Sequence, residues 1–313
     1  MEVGFCIIPV CLDKEVDKMK KTTLFKKLVL NDEILVLPGA YDALSAKIVE
    51  QAGFKAVTVG GYPASASLLA KPDVSLLTLT EMVNLARYII EAVDIPLFVD
   101  GDTGHGNVTN VARTIRLFEN AGVAGLFIED QVFPKRCGHM EGKQVIPTEE
   151  MIAKIKAAVD ARIDGDLMLM ARTDSLAVYG IDEAIERGNR FAEAGADIIF
   201  IEAPPSIEDM KRVCREVRAP MTANMVEGGK TPILTARELQ DIGYSIATFP
   251  LSTLYAAARG VKSAMSELYN KGTTSGYTEK MITFTEFNTL VGLEGVRANE
   301  SRYYKELFEL RKK

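Results

Sequence analysis

A chain of 313 residues, 47% hydrophobic and 26% charged, has the length and composition of one barrel or one open α/β sheet, not of a disordered chain. A net charge of −6, with no basic cluster denser than Lys18, Lys20 and Lys21, excludes nucleic acid as the main partner, and no apolar run reaches the ~18 residues that span a bilayer. Four cysteines, Cys6, Cys11, Cys137 and Cys214, lack CxxC spacing and so make neither a disulfide framework nor a zinc site.

Along the chain, MEVGFCIIPVCL lacks the basic segment of a secretory signal, so a cytoplasmic protein is expected. Residues 1–18 differ in character from the remainder of the chain and read as an extension; 19–313 read as one domain, ending in C-terminal helices from about residue 275. KKTTLFKKL, just after Met19, predicts a helix. One junction then recurs four times: EQAGFKAVTVGG, ENAGVAGLFIED, AEAGADIIFIEA and LQDIGYSIATFP each run from a helix end through glycine into a short apolar run. Glycine is the residue expected where a helix terminates in a left-handed conformation. Before the second junction, Val108, Val111, Ile115 and Phe118 mark one helix face at offsets of three and four.

The apolar runs number eight: 34–39, 55–60, 96–100, 125–130, 167–172, 197–202, 220–224 and 245–250. Most lack alternation, as expected of parallel strands covered on both faces. Eight strands interleaved with helices predict an α/β fold, a (β/α)₈ TIM barrel. A doubly wound open sheet is the competing reading, but no GxGxxG follows the first strand.

In such a barrel the strand ends share one face, and here they carry Gly39, Gly60-Gly61, Asp100 and Asp102, Glu129-Asp130, Arg172 with Asp174, Glu202, Asn224, and Pro250 with Ser252. Strands end at solvent, so any single member has an ordinary explanation; six carboxylates together are costly to bury without a use. Asp100, Asp102, Glu129 and Glu202 are hard oxygen donors of the kind that suit Mg²⁺ or Mn²⁺. Arg172 can fork onto a carboxylate, and Gly60 and Gly61 leave backbone N–H groups open to an anion.

The fourth strand is followed by a loop of about 17 residues that contains PKRCGHMEGKQV and ends where Thr148 is expected to cap a helix with Glu149 and Glu150 in its first turn. Loops this long in a compact domain are usually lids or disordered. Cys137, flanked by Lys135, Arg136 and His139, is placed to exchange a proton near neutral pH. An inert surface cysteine and a phosphate-binding loop are the competing readings; one Cys and one His cannot close a zinc site.

DGDTGHGN, IEDQVFPKRCGH, ARTD and the EA and ANM segments resemble the isocitrate lyase and phosphoenolpyruvate mutase superfamily over roughly residues 23–300, nearest in kind to 2-methylisocitrate lyases and 2,3-dimethylmalate (2-alkylmalate) lyases. The resemblance implies a Mg²⁺-dependent (or Mn²⁺-dependent) carbon–carbon lyase that cleaves a 2-hydroxy di- or tricarboxylate to pyruvate plus succinate or propionate. Asp100 and Asp102 would hold the metal, with Glu129, Glu202 and Asp73 around it. Gly60, Gly61 and Arg172 would hold the part that becomes the keto acid. Cys137 would protonate the departing carbanion, assisted by Lys135 and His139, with Gly138 beside it; Asn224 and Ser252 would line the pocket for the second carboxylate. Tyr41 and Tyr62 are the candidates for taking the hydroxyl proton. Gly60-Gly61 stands where related lyases carry Ser-Gly, and His105 stands where many carry a small or apolar residue; His105 is expected to be exposed. Tyr62 and NMVEGGKTP resemble the alkylmalate enzymes, whereas FPLS resembles the methylisocitrate side. The resemblance further implies a homotetramer, a dimer of dimers, with a C-terminal helix exchanged between subunits. A phosphonate-forming mutase and an oxaloacetate hydrolase or decarboxylase are the alternative activities.

Overall fold

The computed structural model describes residues 19–138 and 140–311, so the expected extension lies outside the described residues. Eight strands form: β1 (Leu35–Pro38), β2 (Val57–Val59), β3 (Leu97–Asp100), β4 (Gly125–Glu129), β5 (Met168–Thr173), β6 (Ile198–Ile201), β7 (Thr222–Asn224) and β8 (Ile246–Phe249). All pairings are parallel, in the runs β2-β3-β4-β5-β6 and β1-β8-β7. Parallel bridges Gly39–Thr58 and Ile199–Met221 join the two runs at both seams, which closes the expected barrel.

Every residue of β3, β4, β5 and β6 is buried. The two strand faces meet different surroundings. Leu35, Leu37, Phe98, Phe127, Met168, Met170, Ile198, Phe200 and Ile246 pack together inside the barrel, while Leu97, Val99, Leu126, Ile128, Leu169, Ala171, Ile199 and Ile201 pack under the helices. The helix Lys21–Val29 closes the bottom with Phe25 and Val29, and Phe25 stacks on Phe98 at 5.4 Å between ring centroids. The period of two is present but invisible in the sequence, because both faces are apolar.

The junction glycines behave as expected: Gly53, Gly122, Gly195 and Gly243 have φ of +92°, +94°, +108° and +116°. Two local expectations need correction. Pro147, not Thr148, occupies the N-cap position of the helix Thr148–Ala161, since its extended backbone already turns the chain; Thr148 is the first helical residue, ahead of Glu149 and Glu150. In the helix Val108–Ala121, Val111, Ile115 and Phe118 are buried, but Val108 sits in the first turn and is exposed.

After β8 the helices Ser252–Lys271, Phe284–Leu290 and Leu293–Leu310 leave the barrel. They present Phe284, Val296, Tyr303, Tyr304 and Phe308 to solvent, with Phe284 85% exposed. Among the described residues no helix is long and apolar enough to cross a membrane.

Candidate active site

Counting in steps of two along the inward rows places the polar residues. Phe98 is followed by Asp100, Phe127 by Glu129, Met170 by Arg172, Phe200 by Glu202 and Thr222 by Asn224. The inner face changes from apolar to charged one residue step above the aromatic layer, and a cavity of ≈ 90 Å³ opens there. It has room for several waters or a small acid. Asp73, Asp100, Lys135, Cys137, Gly138, Arg172, Glu202 and Asn224 line it, together with Gly60, Gly61 and Tyr62.

The acids do not converge on one point; they divide between two basic side chains. Lys135 Nζ lies 2.8 Å from Asp73, 3.8 Å from Asp100 and 3.9 Å from Asp102. Burial alone would lower the pKa of this lysine, but Asp100, Glu129, Asp73 and Asp102 outweigh it and hold the ammonium well above its ordinary value. Asp100 is pinned by two backbone donors, Asp102 N–H and Gly61 N–H, each at 2.7 Å. The Gly61 N–H expected to be open to an anion is therefore taken by Asp100. A side chain at Gly61 would press on Asp100, Lys135 and Asp73, so a Cβ there forces these groups to shift.

The second centre is Arg172. It forks onto Asp174 at 2.9 and 3.2 Å, with Glu129 at 3.3 Å and Glu202 at 3.5 Å, and its guanidinium lies 5.0 Å from the Phe200 ring centroid. Burial would lower its pKa, and the three carboxylates raise it further than burial lowers it. Glu129 is wholly buried, and desolvation pushes its carboxyl well above the usual range; one oxygen accepts from Gln131 at 3.0 Å, whereas Oε2 receives no hydrogen bond from the described residues. Outward-facing Asp130 serves a different purpose, accepting from Thr173, from Asp174 N–H and from Arg187 on the covering helix Ile181–Glu193.

The long loop is closed over this face. Its base zips through an antiparallel bridge between Gln131 and Val145 and through Ile146 N–H to Asp130 O at 2.8 Å. Gln131 both accepts from Arg136 N–H and donates to Arg136 O, and Cys137 N–H donates to Asp73 O at 3.2 Å. Gly138 lies against Arg172 and Glu202 where a Cβ would overlap both. Lys135 is thus buried in the acidic centre and is not placed simply beside Cys137.

Of the remaining expected residues, Asp102 and Glu129 stand behind the lining, and the side chain of Tyr41 is half-buried away from it. Ser252 does not line the cavity: it begins a helix, is exposed and hydrogen-bonds Glu227, and the inward row ends instead at Pro250. His105 is half-buried, not exposed, because the left-handed backbone at Gly104 and His105 folds it back beside Asp102. His139 lies outside the described residues. The sequence reading overlooked Gln131, which ties Glu129 to the Arg136 backbone, and Lys143, whose partners are the Gly138 carbonyl and the distant Asp174.

A sequence profile described as phosphoenolpyruvate phosphomutase matches residues 25–269. The chain is 49% identical to the 2,3-dimethylmalate lyase of Eubacterium barkeri over 91% of this chain and 99% of that one. It is 46% identical to a chloroplastic carboxyvinyl-carboxyphosphonate phosphorylmutase of Arabidopsis thaliana, covering 90% and 84%, and 41% identical to the 2-methylisocitrate lyase of Aeropyrum pernix, covering 92% of each. The solved structure of a phosphonopyruvate hydrolase in complex with oxalate and Mg²⁺ superposes with a TM-score of 0.84 at 30% identity, covering 91% of this chain and all of the other.

Proposed function

Because the chain belongs to the phosphoenolpyruvate phosphomutase family, within the isocitrate lyase superfamily, we propose that it is a carbon–carbon lyase for 2-hydroxydicarboxylates of the 2,3-dimethylmalate type, yielding pyruvate and propionate. The observation that carries this reading is the meeting of Cys137 and Gly138, from the closed loop, with Arg172, Glu202 and Asp100 around one cavity. The choice of a dicarboxylate over a tricarboxylate rests on the outer wall, where Tyr62, Val226, Pro250 and Leu251 offer no second cation.

The donor chemistry fits a divalent ion. Asp73, Asp100 and Glu202 are hard oxygens facing the cavity, and Glu129 stands behind them with Oε2 held, among the described residues, only by the ion pair to Arg172 at 3.3 Å. Asp100 with Asp73 would hold Mg²⁺ or Mn²⁺, with Asp102, Glu129 and Glu202 around it. When bound, the ion supplies positive charge to the oxygens on which negative charge develops. The guanidinium of Arg172, which lines the cavity, binds and orients the carboxylate of the part that leaves as pyruvate. Transfer of the hydroxyl proton to a base, for which Tyr62 in the lining is the remaining candidate, lets the bond between C2 and C3 break. The electron pair stays on the departing propionate carbon, and the thiol of Cys137 delivers its proton there. The closed loop keeps bulk water from competing for that carbanion.

The mutase reading is favoured by one observation, the 46% identity to a phosphorylmutase, and it gives Cys137 no proton to transfer. The test is product identification with Mg²⁺ and separate 2,3-dimethylmalate, 2-methylisocitrate, oxaloacetate and phosphonopyruvate, repeated with chelator. Chelator-sensitive pyruvate with propionate is the expected result. Turnover of phosphonopyruvate alone would replace the lyase with the mutase.

The uncovered aromatic face of the C-terminal helices supports a homotetramer in which they dock on a neighbouring copy. Light scattering of the full chain should give four copies, and removal of residues 284–313 should dissociate them.

A further inference from the structure

Lys143 lies five residues beyond Gly138 on the returning arm of the loop. Its side chain is only 2% exposed. The ammonium donates to the Gly138 carbonyl at 2.5 Å and to Asp174 Oδ1 at 2.7 Å. Asp174 is a fixed anchor: it is wholly buried, forked by Arg172, and its N–H donates to Asp130 at 2.9 Å. Immobilising a lysine stem loses rotamer freedom, and burying its charge is costly without a partner. A turn that only connected β4 to the next helix would use an exposed polar residue here.

The ammonium secures the one stretch of loop that must lie flat. Gly138 packs on Arg172 and Glu202 with no space for a Cβ, and Cys137 precedes it. We propose that Lys143 is the latch of the 130–147 loop, a positioning residue that holds Cys137 over the cavity by clamping the Gly138 carbonyl to Asp174. Its anchor is separate from Asp73, Asp100 and Asp102, so the latch works whatever those carboxylates hold. The inference rests on the reading of Cys137 as a group of the active site, but its test requires no turnover.

The full-length protein and Lys143→Met would be treated with iodoacetamide, and alkylation at Cys137 and Cys214 followed separately by peptide mass. Cys214 is the internal reference: it sits in the helix Ile207–Glu216, and burial pushes its thiol up to about 12, so it reacts when the chain unfolds. Loss of the latch should speed alkylation of Cys137 on the order of tenfold, with Cys214 unchanged. Equal acceleration at both cysteines means general loosening and overturns the latch, as does no acceleration at either. Combining Lys143→Met with Asp174→Asn should add nothing beyond the faster single variant; additive acceleration would overturn Asp174 as the anchor. Intact turnover in Cys137→Ser would defeat the proton-donor role while leaving these alkylation ratios interpretable.

Discussion

Lys135 and Arg172 are both buried cations ringed by three carboxylates, yet they are built in opposite ways. Arg172 is part of β5, and its partners Glu129, Asp174 and Glu202 come from the ends of β4, β5 and β6, side by side in the barrel wall. Lys135 is delivered by a loop, and its partners Asp73, Asp100 and Asp102 come from the segment before the helix Leu79–Ala92 and from the end of β3. The first centre exists whenever the barrel is folded. The second is completed by a residue of the loop and so depends on where the loop lies. The difference teaches that half of the acidic ring is built by the barrel wall and half by the loop that packs on it.

Breaking the rigid centre should have the largest effect. Arg172→Gln strands Glu129, Asp174 and Glu202 without their cation, so turnover should vanish and stability fall by about 3–5 kcal/mol, read from denaturant unfolding. Native-like stability would show that the barrel does not depend on this centre. Cys137→Ser sharpens the contrast from the loop side. Turnover should fall by about 10²–10⁴-fold while substrate affinity by calorimetry and the unfolding midpoint stay near wild type.

Lys135→Met should cost less, about 2 kcal/mol, because the loop can lift and let water reach the carboxylates. Added Mg²⁺ should raise the unfolding temperature of this variant more than that of wild type, since the ion meets no competing ammonium. Equal shifts in the two proteins would mean that Lys135 and the metal do not share the carboxylates.

The smallest effect concerns Asp130, which belongs to neither centre. Burial raises its carboxyl from 3.8 to about 6, so the folded chain holds a proton that the unfolded chain has released between those values. The stabilising contribution is complete below 3.8 and is lost as pH rises through about 6. The stability difference between wild type and Asp130→Asn should therefore decline as pH rises across that window.

Much of this was legible in the sequence. Apolar runs bounded by glycine-terminated helices fix eight strands locally, because strand burial and left-handed helix ends depend on nearby residues. Strand order made the ring of Asp100, Glu129, Arg172, Glu202 and Asn224 readable, and the loop around Cys137 stood out by length and charge. Three things depended on the tertiary structure. Which face of each strand turns inward was hidden because both faces are apolar, and so was where the last row stops: Ser252 follows Pro250 by two, but a helix begins there and turns it away. The division of the acids between Lys135 and Arg172 arises from contacts across tens of residues of chain, including 62 between Lys135 and Asp73. The clamping of Gly138 by Lys143 and Asp174 depends on the closed path of the loop, which no spacing encodes. Local patterns determine which residues reach the active face; only the packed chain decides which of them share a charge.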